Sequence, residues 1–255
     1  MKGLLIKDFF CLKKQLINYL FVIVGVIVVS ILFVLSYKFG NIHAQFQGLI
    51  DSGQSTEAVV TMIASSALLL FMLIPIACTG DITNLIIDDE KASFYKVASV
   101  LPIPISRRVA CRFIAGYLFI AIGVAVDLIM SIILSSLTGI ISLDKFCGVI
   151  ISFASIMIMY VSLFLLLVYV LGKGKTTYAS VIPLLAGVVL YGGVNYDRLT
   201  AFLTDFDDNA LMELYRRTTA FLFYRSYLLL IAAVVLSGGA YLAAVFIAKR
   251  KRGVA

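Results

Sequence analysis

Residues 16–37 read LINYLFVIVGVIVVSILFVLSY, a run of 22 residues without one charge. At about 1.5 Å of rise per residue such a helix is roughly 33 Å long, enough to cross the ~30 Å hydrocarbon of a bilayer. Lipid offers no partner to a bare peptide group, so the run has to close its own hydrogen bonds as a helix. It is longer than the roughly 7–15 apolar residues of a secretion signal, and no small-residue cleavage site follows it. The reading is therefore a first membrane span that stays in the chain.

Working outward, the same pattern recurs. Apolar residues make up 62% of the 255 and charged residues 14%, with a mean hydropathy of +1.07. Soluble domains hold about 45–50% apolar and about 25% charged residues, so a water-soluble enzyme is excluded. Five further spans are expected at about 58–79, 113–137, 146–171, 178–194 and 225–248. Pro75 interrupts the second, and the short fifth contains Pro183 and Gly187. The expected fold is all-α: one polytopic transmembrane domain over 1–255 with six transmembrane helices. Residues 1–15 carry Leu4, Leu5, Phe9 and Leu12 among Lys2, Lys7, Lys13 and Lys14. They read as an amphipathic interfacial helix on the inner leaflet. The outer segment 195–224 mixes Phe202, Phe206, Leu211, Leu214 and Phe221 with acids and arginines, as a half-buried re-entrant helix or an interfacial one would.

The net charge is +7, but the basic residues lie in short clusters between apolar runs rather than on one solvated face. No nucleic acid is implied as a partner. With both termini in the cytoplasm, fifteen Lys and Arg fall in inner segments and six in outer ones, Lys38, Lys145, Arg198, Arg216, Arg217 and Arg225. That asymmetry orients the chain with both termini on the cytoplasmic side of its membrane. Cys11, Cys78, Cys111 and Cys147 form no C-x-x-C pair and His43 is the single histidine, so neither a metal site nor a disulfide framework is expected.

The longest inner segment, 80–112, reads GDITNLIIDDEKASFYKVASVLPIPISRRVACR. Phe94, Val97, Ala98 and Leu101 recur at helical spacing, which predicts a short amphipathic helix from about Asp89 to the stop at Pro102 and Pro104. Phe94 and Tyr95 beside Asp88, Asp89 and Glu90 suit docking in a groove of another protein. An apolar stripe of this kind also suits a helix lying on the leaflet or against the bundle, and the pattern alone leaves both open.

The run Asp89-Glu90-Lys91, followed by Leu101-Pro102 and Pro104-Ile105-Ser106-Arg107 before a new span, resembles the cytoplasmic loop of permease subunits of type-2 ATP-binding cassette exporters. The opening Met-Lys-Gly-Leu-Leu-Ile-Lys-Asp, Met1 to Asp8, is similar to the start of many members. The likeness extends over the whole chain, and within the group it is nearest to bacterial permeases that export amphipathic toxin peptides such as phenol-soluble modulins. The resemblance implies that the inner loop holds a coupling helix seated on an ATP-binding subunit, through Asp88, Asp89, Glu90, Lys91, Phe94, Tyr95 and Arg107. It also implies a pair of permease chains, identical in the simplest case, with two ATP-binding subunits. No catalytic residue and no cofactor are expected in this chain, and Mg-ATP would belong to the partner. Gly172-Lys173-Gly174-Lys175-Thr176-Thr177 looks like the end of a P-loop, but Tyr169 stands where its first glycine is needed and a membrane helix precedes it.

Asp127 is the one acidic residue deep in an expected span, where a carboxylate costs about 2.5–3.5 kcal/mol to insert, so it has to face protein or water. Gly123, Asp127, Ser131 and Ser135 share one face at four-residue intervals. That face reads either as the wall of a polar substrate path, with Asp127, Ser131 and Met157 as candidates, or as a seam of helix-to-helix hydrogen bonds. Three functions follow in order. The first is the permease of an ATP-driven exporter of an amphipathic peptide or lipid. The second is a proton- or ion-coupled carrier using Asp127, which lacks the repeats and multiple charges usual in carriers. The third is a non-transporting immunity or scaffold protein.

Overall fold

A computed structural model describes residues 13–38, 82–92, 103–138, 143–172, 174–197 and 225–252, apart from Lys173, together with a few isolated positions. Among the described residues all regular structure is helical. The helices are α1 Lys13–Lys38, α2 over 82–91, α3 Ile105–Thr138, α4 Leu143–Leu171, α5 Thr176–Val194 and α6 Ser226–Arg252. Four are long and apolar enough to cross a membrane: Ile105–Ile133, Phe146–Leu171, Thr176–Val194 and Ser226–Lys251. They overlap the expected third to sixth spans. The expected first span lies within α1, whose apolar core is the shorter stretch Tyr19–Leu32. Most of the second span, of the interfacial helix at 1–15 and of the outer segment 195–224 lies outside the described residues.

Local chemistry explains where the helices begin and end. Neither Pro102 nor Pro104 has an N–H, and Pro104 instead opens α3, its carbonyl accepting the N–H groups of Arg107 (3.0 Å) and Arg108 (3.2 Å). Asp144 stands in the first turn of α4, where a negative charge meets the positive end of the helix dipole. Gly172 and Gly174 end α4 and turn the chain into α5 at φ +78° and +76°, a conformation that side-chain-bearing residues rarely adopt. The Gly172 N–H closes the last turn on the Val168 carbonyl at 3.1 Å.

Helix α4 is the centre of the bundle, packed against α3, α5 and α6, while α6 also meets α3 and α1 lies along α3. Phe146, Val161, Phe164 and Leu165 of α4 are fully buried, as are Val109, Phe119 and Ile120 of α3. Gly116 is the point of closest approach, since a Cβ there would lie 2.9 Å from Val161 Cγ1 and 3.6 Å from Ile82 Cδ1. Tyr117 joins Ser162 at 2.9 Å. Because the Ser162 hydroxyl gives its one proton to the Ile158 carbonyl (2.6 Å), the tyrosine is the donor in that pair. Of the small residues on α6, Ala233, Ala240 and Ala244 are buried, so this row forms the contact face, and Gly239 lies outside it.

The opposite surfaces are apolar. On α5, Leu184, Leu185, Val188, Val189 and Leu190 are each at least 58% exposed, and on α6 Val234, Val235, Leu242 and Phe246 are likewise outward. A surface of this kind is a liability in water and the ordinary exterior of a helix in lipid.

Candidate functional site

One end of the bundle gathers the N-terminus of α3, the turn between α4 and α5 and the C-terminus of α6. It also gathers the charge: Arg107, Arg108, Arg112, Lys175, Lys249, Arg250 and Lys251. At this basic end Ile82, Leu85 and Ile86 of α2 are buried, which holds α2 against the bundle and brings its C-terminal turn to α3. There the carboxylate of Asp89 pairs with the guanidinium of Arg112, the two side chains 13% and 20% exposed. Few protein pairs are as directional as a guanidinium on a carboxylate, and this one bridges 23 positions of sequence.

The neighbouring charges differ. Asp88 and Lys91 lie one turn apart at 3.9 Å, with side chains 63% and 75% exposed; a solvated pair of this sort contributes little to stability. Arg107 is exposed and Glu90 half-buried. Asp88, Lys91 and Arg107 thus present solvent-exposed charge at the basic end, whereas Asp89 is turned inward as the tie between helices. Phe94 and Tyr95 lie outside the described residues. Helix α2 runs to position 91 and its last turn closes from the Ala92 N–H to the Asp88 carbonyl at 2.9 Å. The sequence reading began a helix at Asp89, close to where the structure ends one. The rest of that expected helix, over positions 93–102, lies outside the described residues. Sequence reasoning also missed Arg112 and Lys251. Lys251 donates to the carbonyls of Tyr169 (2.7 Å) and Val170 (2.9 Å), so the end of α6 caps the end of α4. The signal for Arg112 was present only as the last of three arginines, Arg107, Arg108 and Arg112, that close a segment with an acidic run at 88–90. Lys251 carried no signal beyond membership of a basic tail.

The intramembrane candidates lie on another level. Asp127 (3% exposed) and Ser131 (0%) are buried on α3, and Met157 of α4 is half-buried against the core. The Ser131 hydroxyl donates to the main-chain carbonyl of Asp127 at 2.7 Å rather than to its carboxylate. The structure therefore places Asp127 and Ser131 together, far from the basic end: Arg112 lies 15 residues earlier on the same helix, about 22 Å. Among the described residues no group of His, Cys, Asp and Glu is placed to hold a metal ion.

Apolar helices around a central α4, with charge concentrated at one end, define a multi-pass membrane protein. The chain belongs to the ABC-2 family of transporter proteins, whose family model matches residues 55–249, about three-quarters of its length. The match begins before α2 and ends in the last turns of α6, so it takes in both groups of candidate residues. Comparison with curated proteins and with solved structures gives no significant match. Membership makes the chain a permease component of a transporter that works, as the family does, with an ATP-binding subunit.

Proposed function

We propose that this chain is the membrane-embedded subunit of an ATP-driven exporter and that its basic end, in the cytoplasm, is the contact for the ATPase. The observation that carries the reading is the Asp89–Arg112 pair, which fastens the helix bearing the exposed charges of Asp88 and Lys91 to the first turns of α3. A push on that surface is delivered to α3. Because α3 is locked to α4 at Gly116 and through Tyr117–Ser162, the displacement reaches the centre of the bundle rather than dying in a loop.

The working assembly is two copies of this chain with two ATP-binding subunits in a bacterial cytoplasmic membrane, both termini inside. The partner subunits bind Mg-ATP and draw together, and this chain contributes no catalytic group to hydrolysis. Asp88, Asp89, Glu90, Lys91, Phe94, Tyr95 and Arg107 form the coupling surface. Asp127, Ser131 and Met157 border the path taken by cargo. An amphipathic peptide of the phenol-soluble modulin kind fits best, ahead of a lipid, because the spans offer small and apolar side chains with one buried charge.

The test is to purify the tagged chain from its native membrane in mild detergent and assay for a co-purifying ATPase. Co-purification that is lost on charge reversal at Asp88 and Glu90 supports the reading. If no ATPase accompanies the chain and export survives ATP depletion, the reading fails.

A further inference from the structure

Asp127 is not used by the lever just described, and its surroundings are unusual for a structural carboxylate. It lies about 9 Å of helix short of Ile133, in the third of the span farthest from the basic end. Its Oδ1 is sealed from solvent and has no hydrogen-bond partner. Leaving a buried polar atom unbonded is costly, and more so when the group is charged. A carboxylate that served only to hold helices together would have drawn donors to itself, and the nearby hydroxyls are spent elsewhere. Ser131 donates to the Asp127 main chain. The Tyr117–Ser162 contact sets the antiparallel register that brings Ser152 to the level of Asp127. Ser152 gives its proton to the Leu222 carbonyl at 2.8 Å, and Ser155 gives its own to the Ile151 carbonyl at 2.7 Å. Each hydroxyl has one proton, so what these three buried serines still offer is lone pairs. Of the cations at this end whose side chains are described, Arg217 and Arg225 are both exposed.

The bundle therefore holds a buried carboxylate oxygen with no donor, at a level where the neighbouring hydroxyls can only accept. A group that satisfies such a place brings positive charge and several N–H donors at once, as an ammonium with its three does. We propose that Asp127 receives a lysine or N-terminal ammonium of the cargo as it crosses, which makes the exporter selective for cationic amphipathic peptides. This rests on the exporter reading above and narrows it to a substrate class.

The experiment uses the complex purified with its ATPase subunit and reconstituted so that the basic end faces out. Three amphipathic helical peptides share one apolar face and carry Lys, Gln or Glu on the polar face. With the wild-type chain, ATP-driven uptake of the Lys peptide should exceed that of the Gln peptide at least tenfold, with the Glu peptide lowest. Asp127→Asn, close in shape, should bring the Lys and Gln peptides within about twofold of each other, and Asp127→Glu should restore part of the preference. Equal wild-type uptake of the three peptides, or a preference that survives Asp127→Asn, overturns the inference and leaves the exporter reading standing. Absence of ATP-driven uptake of any of them removes the reading on which it rests.

Discussion

Gly116 has no room for a side chain, because a Cβ would press on Val161 at 2.9 Å. Gly116→Val should destabilise the chain by about 1–3 kcal/mol, the usual cost of overpacking a filled core. The effect should appear as a lower unfolding temperature in detergent that Val161→Ala largely reverses, and an unchanged temperature would show that α3 and α4 do not meet there. Asp89 and Arg112 make a prediction about work rather than stability. Asp89→Asn should reduce ATP-driven transport about tenfold with a much smaller effect on ATPase rate, and the exchange Asp89→Arg with Arg112→Asp should recover part of it. An exchange no better than the single variant would count against the tie. At this scale the sequence showed which residues carry charge inside or beside the membrane, since an acid in an apolar run is visible without a structure. It did not show their partners. Arg112 and Asp89 are 23 positions apart, and only the fold of the intervening chain brings them together.

Helix ends are where the sequence reading and the structure part. The reading placed the third span at Phe113 because apolar residues become continuous there; α3 starts at Ile105, since Pro104 can open a helix and the next residues carry their arginines beyond the lipid. Hydropathy marks the part of a helix that sits in hydrocarbon, not the part that projects from it. The same reason hides the cap at the other side of the basic end, where Lys251 reaches the carbonyls of Tyr169 and Val170. Lys251→Ala should weaken the last turn of α4 by about 0.5–1 kcal/mol, given that the lysine is solvated. Amides at 168–172 should then exchange hydrogen about two- to fivefold faster, and unchanged exchange there would mean that the cap adds nothing.

For the molecule as a whole, composition and span length were enough to make it a helical membrane protein, because the constraint on backbone groups in lipid leaves few architectures open. The packing order, with α4 central and α5 mostly outward, was not legible, since both helices are apolar all round and neither has a face that sequence periodicity can pick out. The proposed orientation, with the basic end in the cytoplasm, can be tested through the cysteines. Cys147 lies near the opposite end and is half-exposed, whereas Cys111 near the basic end is buried. A membrane-impermeant maleimide added to intact cells should accordingly modify Cys147 and spare Cys111, and external labelling of Cys111 would invert the assembly. The claim on which the account most depends is that force enters through the basic end from a separate ATPase. The direct measurement is ATP-dependent peptide uptake by inside-out vesicles carrying the wild-type chain or the Asp88→Lys, Glu90→Lys chain, each with its ATPase subunit present. Uptake that requires ATP and falls at least tenfold in the charge-reversed chain, with folding unchanged, is the predicted result; equal uptake by the two chains would contradict it.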